Sequence, residues 1–298
     1  MFVHHETPAS SQDRRTHVPG SPGLPIFPPV LEHRVRSWVE LQDALFAGSW
    51  NESLRRFRPT LAFRGMPDSR HDLATSLNRR GGDYSRQEHV MLRAFRKYAR
   101  GTSNPCESLW DWLSLAQHHG LPTRLLDWTF SPYVALHFLS ENPDLYDVDG
   151  VVWSVDYRET NRLLPRPLKA QLQAEGADVF SAEMLATVAQ DLATFDRLTR
   201  HTFVLFFEPP SLDERIVNQF ALFSVMNDAS ARLDTFLEKQ KRGVRRLIVP
   251  AHLKQEVRDK LDQANITERV LFPGLDGLSR WLRRYYNPRP PGAPDGSQ

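Results

Sequence analysis

Cysteine is almost missing from this chain: Cys106 is the only one in 298 residues. A disulfide within the chain is therefore excluded, and a reducing, cytoplasmic setting is the expectation. Long apolar runs are lacking as well. None approaches the roughly 20 residues that a membrane-spanning helix needs, so no membrane partner is expected. The opening MFVHHETPASSQDRRTHVPG is polar and has no signal-peptide core. Excess charge of one sign is absent too: 38 basic against 36 acidic residues leave a formal net charge of +2. A protein built mainly to grip nucleic-acid backbone needs a concentrated basic excess, although a local basic patch stays open. Phosphate-loop, dinucleotide-fold and Gly-x-Ser-x-Gly signatures do not occur, which argues against kinases, Rossmann dehydrogenases and typical serine hydrolases. Neither Cys pairs nor His-Glu-x-x-His occur, so no metal site is expected.

What is present is ordinary globular composition, 40% hydrophobic and 25% charged, which excludes general disorder. Residues 1–30 are rich in Pro, Ser, His and Arg and read as a flexible tail; NPRPPGAPDGSQ, residues 287–298, reads as a disordered one. Residues 31–286 read as one domain without internal repeats. Val35, Trp38, Leu41 and Leu45 recur at helical spacing. TLAFR (60–64) predicts a short strand ended by Gly65, and Ser85 to Glu88 has the form of a capping box opening a helix. A third helix is predicted from about Glu107 to His119, with Gly120 after its end. A loop, LPTRLLDWTF, follows, and then a helix with Ser131 as cap and Pro132 at its first position. Strands are predicted at 150–157, 203–207, 215–226 and 244–249, with helices at 160–173, 181–198, 252–264 and 275–286. Without strict βαβ alternation, this order predicts an α+β fold, a mixed and mainly antiparallel sheet flanked by helices.

Polar and reactive side chains concentrate between Leu115 and Leu139: His118, His119, Gly120, Arg124, Asp127 and Trp128 precede an apolar helix. Such density between apolar segments suggests a site on a loop held by rigid elements. The run QHHGLPTRLLDWT (117–129) resembles the FRG domain family, which is named for a Phe-Arg-Gly strand end standing here as Phe63-Arg64-Gly65. Ser131-Pro132, Ala135-Leu136, Arg215-Ile216 with Gln219, and LFPxLDGL-like residues from Leu271 to Leu278 also fit, so the likeness spans about Trp38 to Leu282. One departure is Ala221, where the family usually has Gly after the glutamine. The family's layout is remotely similar to that of ADP-ribosyltransferases. That likeness implies Arg64 in the first place around NAD, the Asp127–Ser131 region in the second, and Gln219 in the third. It implies an NAD-using ADP-ribosyltransferase-like enzyme with a protein or nucleic-acid acceptor, suited to stress response or phage defence. The alternative is a non-catalytic module binding a nucleotide or nucleic acid.

Each candidate has a plainer role beside the sharper one. Arg64 and Gly65 at a strand end could grip phosphate through a bidentate fork, or Arg64 could form an ion pair with Asp127 or Glu88. Arg124 and Asp127 could hold the loop together by a salt bridge, or Arg124 could bind substrate phosphate while Asp127 orients a ribose hydroxyl or acts as a base. Trp128 could stack on a planar ring or fill the core. His118 and His119 suit a helix C-terminus, and His119 is also a candidate for substrate binding, as is Ser131. Gln219, read on a strand face shared with Val217, Ala221, Phe223 and Val225, is an amide among apolar neighbours and must find partners. Asp127 and Gln219 are the catalytic candidates, although Gln can neither act as a base nor carry negative charge.

Overall fold

The computed structural model describes residues 31–99, 106–211, 213–240 and 242–287; the expected tails, Asn287 apart, lie outside the described residues. The described chain opens with β1 (Leu31–Arg34) and α1 (Trp38–Phe46), capped by Ser37 and buried through Leu41 and Leu45. A small ribbon, β2 (Trp50–Asn51) with β3 (Arg56–Phe57), leads to β4 (Leu61–Met66). Then come α2 (Tyr84–Tyr98), α3 (Leu109–His118), β5 (Leu126–Thr129), α4 (Pro132–Ser140) and β6 (Gly150–Asp156). Short elements follow: α5 (Tyr157–Asn161), α6 (Arg166–Glu175), β7 (Phe180–Ser181), α7 (Ala182–Val188) and α8 (Leu192–Asp196). The rest is β8 (Val204–Glu208), α9 (Glu214–Asn218), β9 (Ala221–Met226), α10 (Leu233–Gln240), β10 (Val244–Val249), α11 (Lys254–Gln263), α12 (Glu268–Leu271) and α13 (Leu275–Tyr285).

Among the described residues, eight strands form one sheet in the order β1-β10-β6-β4-β5-β9-β8-β7. The inner pairs are antiparallel; only the two edge pairs, β1 with β10 and β7 with β8, are parallel. This is the expected α+β architecture. Because side chains alternate across a strand, Ala62, Trp128, Trp153, Phe206 and Leu222 share one face and pack with Leu233 and Leu237 of α10. The opposite face carries two separate apolar groups. In one, Leu113 and Ala116 of α3 meet Leu172, Leu185 and Phe195 over Leu205, Phe207 and Phe223. In the other, Leu136 and Leu139 of α4 meet Leu41 and Val257 over Phe63, Val152 and Val249.

A discontinuity in the sheet positions the site. β4 pairs with β6 at every residue from Leu61 to Met66, but with β5 at a single position, Phe63 opposite Thr129. Past Phe63 the two strands part, and the gap opens between the two apolar groups.

Three local expectations are corrected. The helix after Gly82 starts at Tyr84 and is capped by Asp83, which accepts from the Arg86 amide; Glu88 does not cap but is buried. The loop LPTRLLDWTF contains β5, because Leu126 and Trp128 bury one face while Asp127 stays exposed on the other. The strand expected over 215–226 begins only at Ala221. Asp213 accepts from the Ile216 amide and starts the one-turn helix α9, Gln219 ends it, and Phe220 takes a left-handed conformation (φ 48°) that redirects the chain into β9. The apolar residues of Arg-Ile-Val suggested a strand, and the aspartate cap outweighed them.

Candidate active site

A cleft of about 710 Å³ occupies the gap. Its floor is the parting ends of β4 and β5. Its walls are the end of α3 (Gln117–Gly120), the end of α4 (Phe138, Glu141) and α9 with its cap (Arg215, Ile216, Gln219), and Pro67, His71 and Arg79 complete the rim. Arg64 crosses the split: its Nη1 donates to the Asp127 carbonyl oxygen at 2.5 Å and lies 4.0 Å from Asp127 Oδ2. Its Nε is buried and has no hydrogen-bond partner among the described residues. Burial pulls the Arg64 guanidinium below its ordinary pKa, against the pull of Asp127, and Arg79 lowers it further. A cation so placed gains from an anion that enters the cleft.

Asp127 stands at the mouth, its side chain 62% exposed, and Oδ2 accepts from Gln117 Nε2 at 2.9 Å. Gln117 is itself oriented by the Thr123 hydroxyl, which donates to its Oε1 at 2.6 Å. The carboxylate is thus aimed yet open. His119 is the C-cap of α3, and His118 Nε2 sits 2.6 Å from Asp213 Oδ2. Burial holds the His118 pKa below its usual value, with Asp213 opposing. Gln219 lines the cleft from the end of α9. Its Nε2 donates to the Leu271 carbonyl at 2.9 Å, and its main-chain carbonyl accepts from Thr129 Oγ1 at 2.7 Å. The amide expected among apolar strand neighbours is in fact a helix cap satisfied by backbone.

Arg64, Gly65, His119, Asp127, Trp128 and Gln219 all border the cleft; Arg124 and Ser131 do not. Arg124 does not pair with Asp127. It points into the interior, where its Nε donates to Glu88 Oε2 at 2.6 Å and its Nη1 to Asp196 Oδ1 at 2.5 Å, and its amide also donates to Glu88. Burial lowers the Arg124 pKa, but the two carboxylates outweigh it and hold the guanidinium above its ordinary value. Ser131 accepts from the Val134 amide and caps α4. The Trp128 indole lies in the core, donating to Ser224 Oγ at 2.9 Å and meeting Phe206 edge-on. Gly65 is required by packing. A Cβ there would come within 1.7 Å of the Ala135 carbonyl oxygen, so α4 rests directly on β4.

The sequence reading missed Arg79 and Glu141. Glu141 follows the last turn of an apolar helix and belongs to no motif; only the packing of α4 brings it to the cleft. Arg215 was marked by the Arg-Ile pair, without a role. In the structure its guanidinium lies over the Phe272 ring, 4.9 Å from the centroid. Among the described residues, no cluster of three or more His, Cys, Asp or Glu is placed to hold a metal ion, and no helix is long and apolar enough to cross a membrane.

Fold and site together define an α+β protein with a cation-rich cleft at a split in its sheet. The FRG domain family model matches residues 59–147, and the chain carries an FRG domain there. That segment holds β4, α3, β5 and α4, hence Arg64, Asp127 and Glu141, whereas Arg215 and Gln219 come from beyond it. No curated protein and no solved structure matches the chain.

Proposed function

We propose that the cleft binds NAD and that the protein is an ADP-ribosyltransferase-like enzyme passing ADP-ribose to a protein or nucleic-acid acceptor. The observation that carries this reading is that Arg64, Asp127 and Gln219, far apart in sequence, border one cleft. Its volume falls within the roughly 300–1,000 Å³ of small-molecule sites. Breaking the ribose–nicotinamide bond leaves positive charge on C1′ while the electron pair departs with the nicotinamide nitrogen. The site must therefore anchor the pyrophosphate, hold the ribose and meet that charge. Arg64, Arg79 and Arg215 suit the first task, and the aimed, exposed Asp127 carboxylate suits the other two. Phe138 and Phe223 offer apolar wall for a planar ring. A role in stress response or phage defence would suit such chemistry.

One observation favours a second reading, a non-catalytic nucleotide-binding module. Gln219 carries no charge, and its amide nitrogen is already engaged by Leu271. Incubation of the pure protein with NAD, followed by chromatography for nicotinamide, separates the two. Release by wild type and not by Asp127→Ala is the expected result. Saturable NAD binding without release selects the binding module, and neither release nor binding removes NAD as the ligand.

A further inference from the structure

Among the described residues two carboxylates line the cleft, and the second, Glu141, has an unusual setting. It is the C-cap of α4 and also lines a neighbouring cavity of about 590 Å³ with Glu268, Phe272, Arg280 and Arg283. Its carboxyl therefore stands on the wall shared by the two spaces, 40% exposed, open to a molecule in either.

Behind it lies His137, one turn earlier on α4 and wholly buried. Arg258 Nη1 is 2.8 Å from His137 Nδ1. A guanidinium only donates, so Nδ1 accepts and the ring proton resides on Nε2. Among the described residues that Nε2 has no hydrogen bond of good geometry, although the Ile266 carbonyl is close, and it stands 3.8 Å from Glu141 Oε2. Burial and then Arg258 drive the His137 pKa down to about 3, so the imidazole stays neutral at working pH. Glu141 is thus backed by an uncharged imidazole whose Nε2–H lies within reach of its carboxylate, with the Ile266 carbonyl as the competing acceptor.

We propose that Glu141 is the catalytic proton acceptor of this cleft, receiving the proton of the acceptor nucleophile that approaches from the adjoining cavity. The inference rests on the NAD-cleaving reading and assigns the base to Glu141 rather than to Asp127. As the nucleophile's oxygen or nitrogen bonds to C1′, the C1′–N bond breaks and its electron pair neutralises the nicotinamide ring. The proton released from the nucleophile passes to Glu141. Asp127, beside Arg64, orients the ribose.

The groups facing Glu141 are His137 on its own helix, Arg215 from α9, Arg258 from α11, Glu268 from α12 and Arg280 from α13. Burial in the concave wall, then Glu268, push its carboxyl up to about 7, while Arg280, Arg215 and Arg258 oppose. A base does most work when its pKa lies near the operating pH. Glu88 is locked to Arg124, and Gln219 is uncharged.

The test follows NAD hydrolysis, with water as nucleophile, across about pH 5 to 9, the span over which such a base titrates. In wild type, nicotinamide release should rise with pH through about 7. Glu141→Gln should lose roughly 10²- to 10⁴-fold in turnover together with that rise, while calorimetric NAD binding stays unchanged. A Glu141→Gln enzyme that keeps the wild-type rate or the same pH rise overturns the inference and leaves the NAD reading standing. Loss of NAD binding in the variant overturns it as well, by making Glu141 a binding residue. No release from wild type overturns the NAD reading, and the inference with it.

Discussion

At the scale of single residues, the chain contains two arginines that look alike in sequence and behave oppositely in the fold. Arg64 reaches across a gap with part of its guanidinium uncommitted, whereas Arg124 is sealed between Glu88 and Asp196. Arg64→Ala should abolish calorimetric nucleotide binding while the melting temperature falls only slightly, since one hydrogen bond to the Asp127 carbonyl and a long ion pair with its exposed carboxylate are lost. Arg124→Ala should strand two carboxylates, Glu88 fully buried, and cost about 3–5 kcal/mol in denaturant unfolding. Equal destabilisation by the two variants would remove the distinction. Glu141 adds a pH dependence of stability. Its folded-state pKa is raised, so its contribution is full below the ordinary carboxylate value and is lost as pH rises through about 7. Glu141→Gln should therefore melt higher than wild type at pH values above about 7, and the gap should close on acidification toward the ordinary value of 4.5.

Among elements, the contact of β4 with α4 matters most. Gly65 lets the Ala135 carbonyl come where a side chain would stand, and α4 in turn carries Glu141 to the cleft. Gly65→Ala should push α4 outward. The expected outcome is a loss of about 1–3 kcal/mol in urea unfolding, the usual range for overpacking, with impaired nucleotide binding even though no ligand-facing group has changed. Unchanged binding in a folded variant would show that the cleft does not depend on this contact. The α9–β9 junction has its own logic. The left-handed residue is Phe220, not Ala221, which starts an extended strand. The alanine at the position where the family usually has Gly is thus compatible with the backbone found here.

For the whole molecule, the split sheet is the organising feature. One half, β1-β10-β6-β4, packs with α1, α4 and α11; the other, β5-β9-β8-β7, packs with α3 and α6–α8; and Arg64 bridges them where the ladder gives out. A ligand in the gap would touch both halves. NAD at a hundredfold excess over its Kd should stabilise the protein by about 2.7 kcal/mol, read as a raised melting temperature. Hydrogen exchange should slow at β4, β5 and the end of α4. Protection confined to one half would contradict a ligand seated across the split.

Much of this was legible from local chemistry. Capping residues and apolar periodicity mark α3 and α4, short runs rich in Val and Ile mark β6 and β10, and the Phe63-Arg64-Gly65 end with the Gln117–Thr129 run marks the FRG domain, because these are short-range effects of backbone and side chain. What tertiary structure decided is where each polar group spends its hydrogen bonds. Arg124 and Asp127, three apart, separate because Arg124 turns inward to two buried carboxylates while Asp127 faces the cleft. Gln219 changed from a strand amide to a helix cap because Asp213 nucleates a turn that apolar periodicity cannot signal. Glu141 has no local mark at all. Its place beside Arg215, Glu268 and His137 arises from three helices meeting across long sequence distances, and the setting of a titratable group is fixed by such neighbours rather than by the residues on either side of it in the chain.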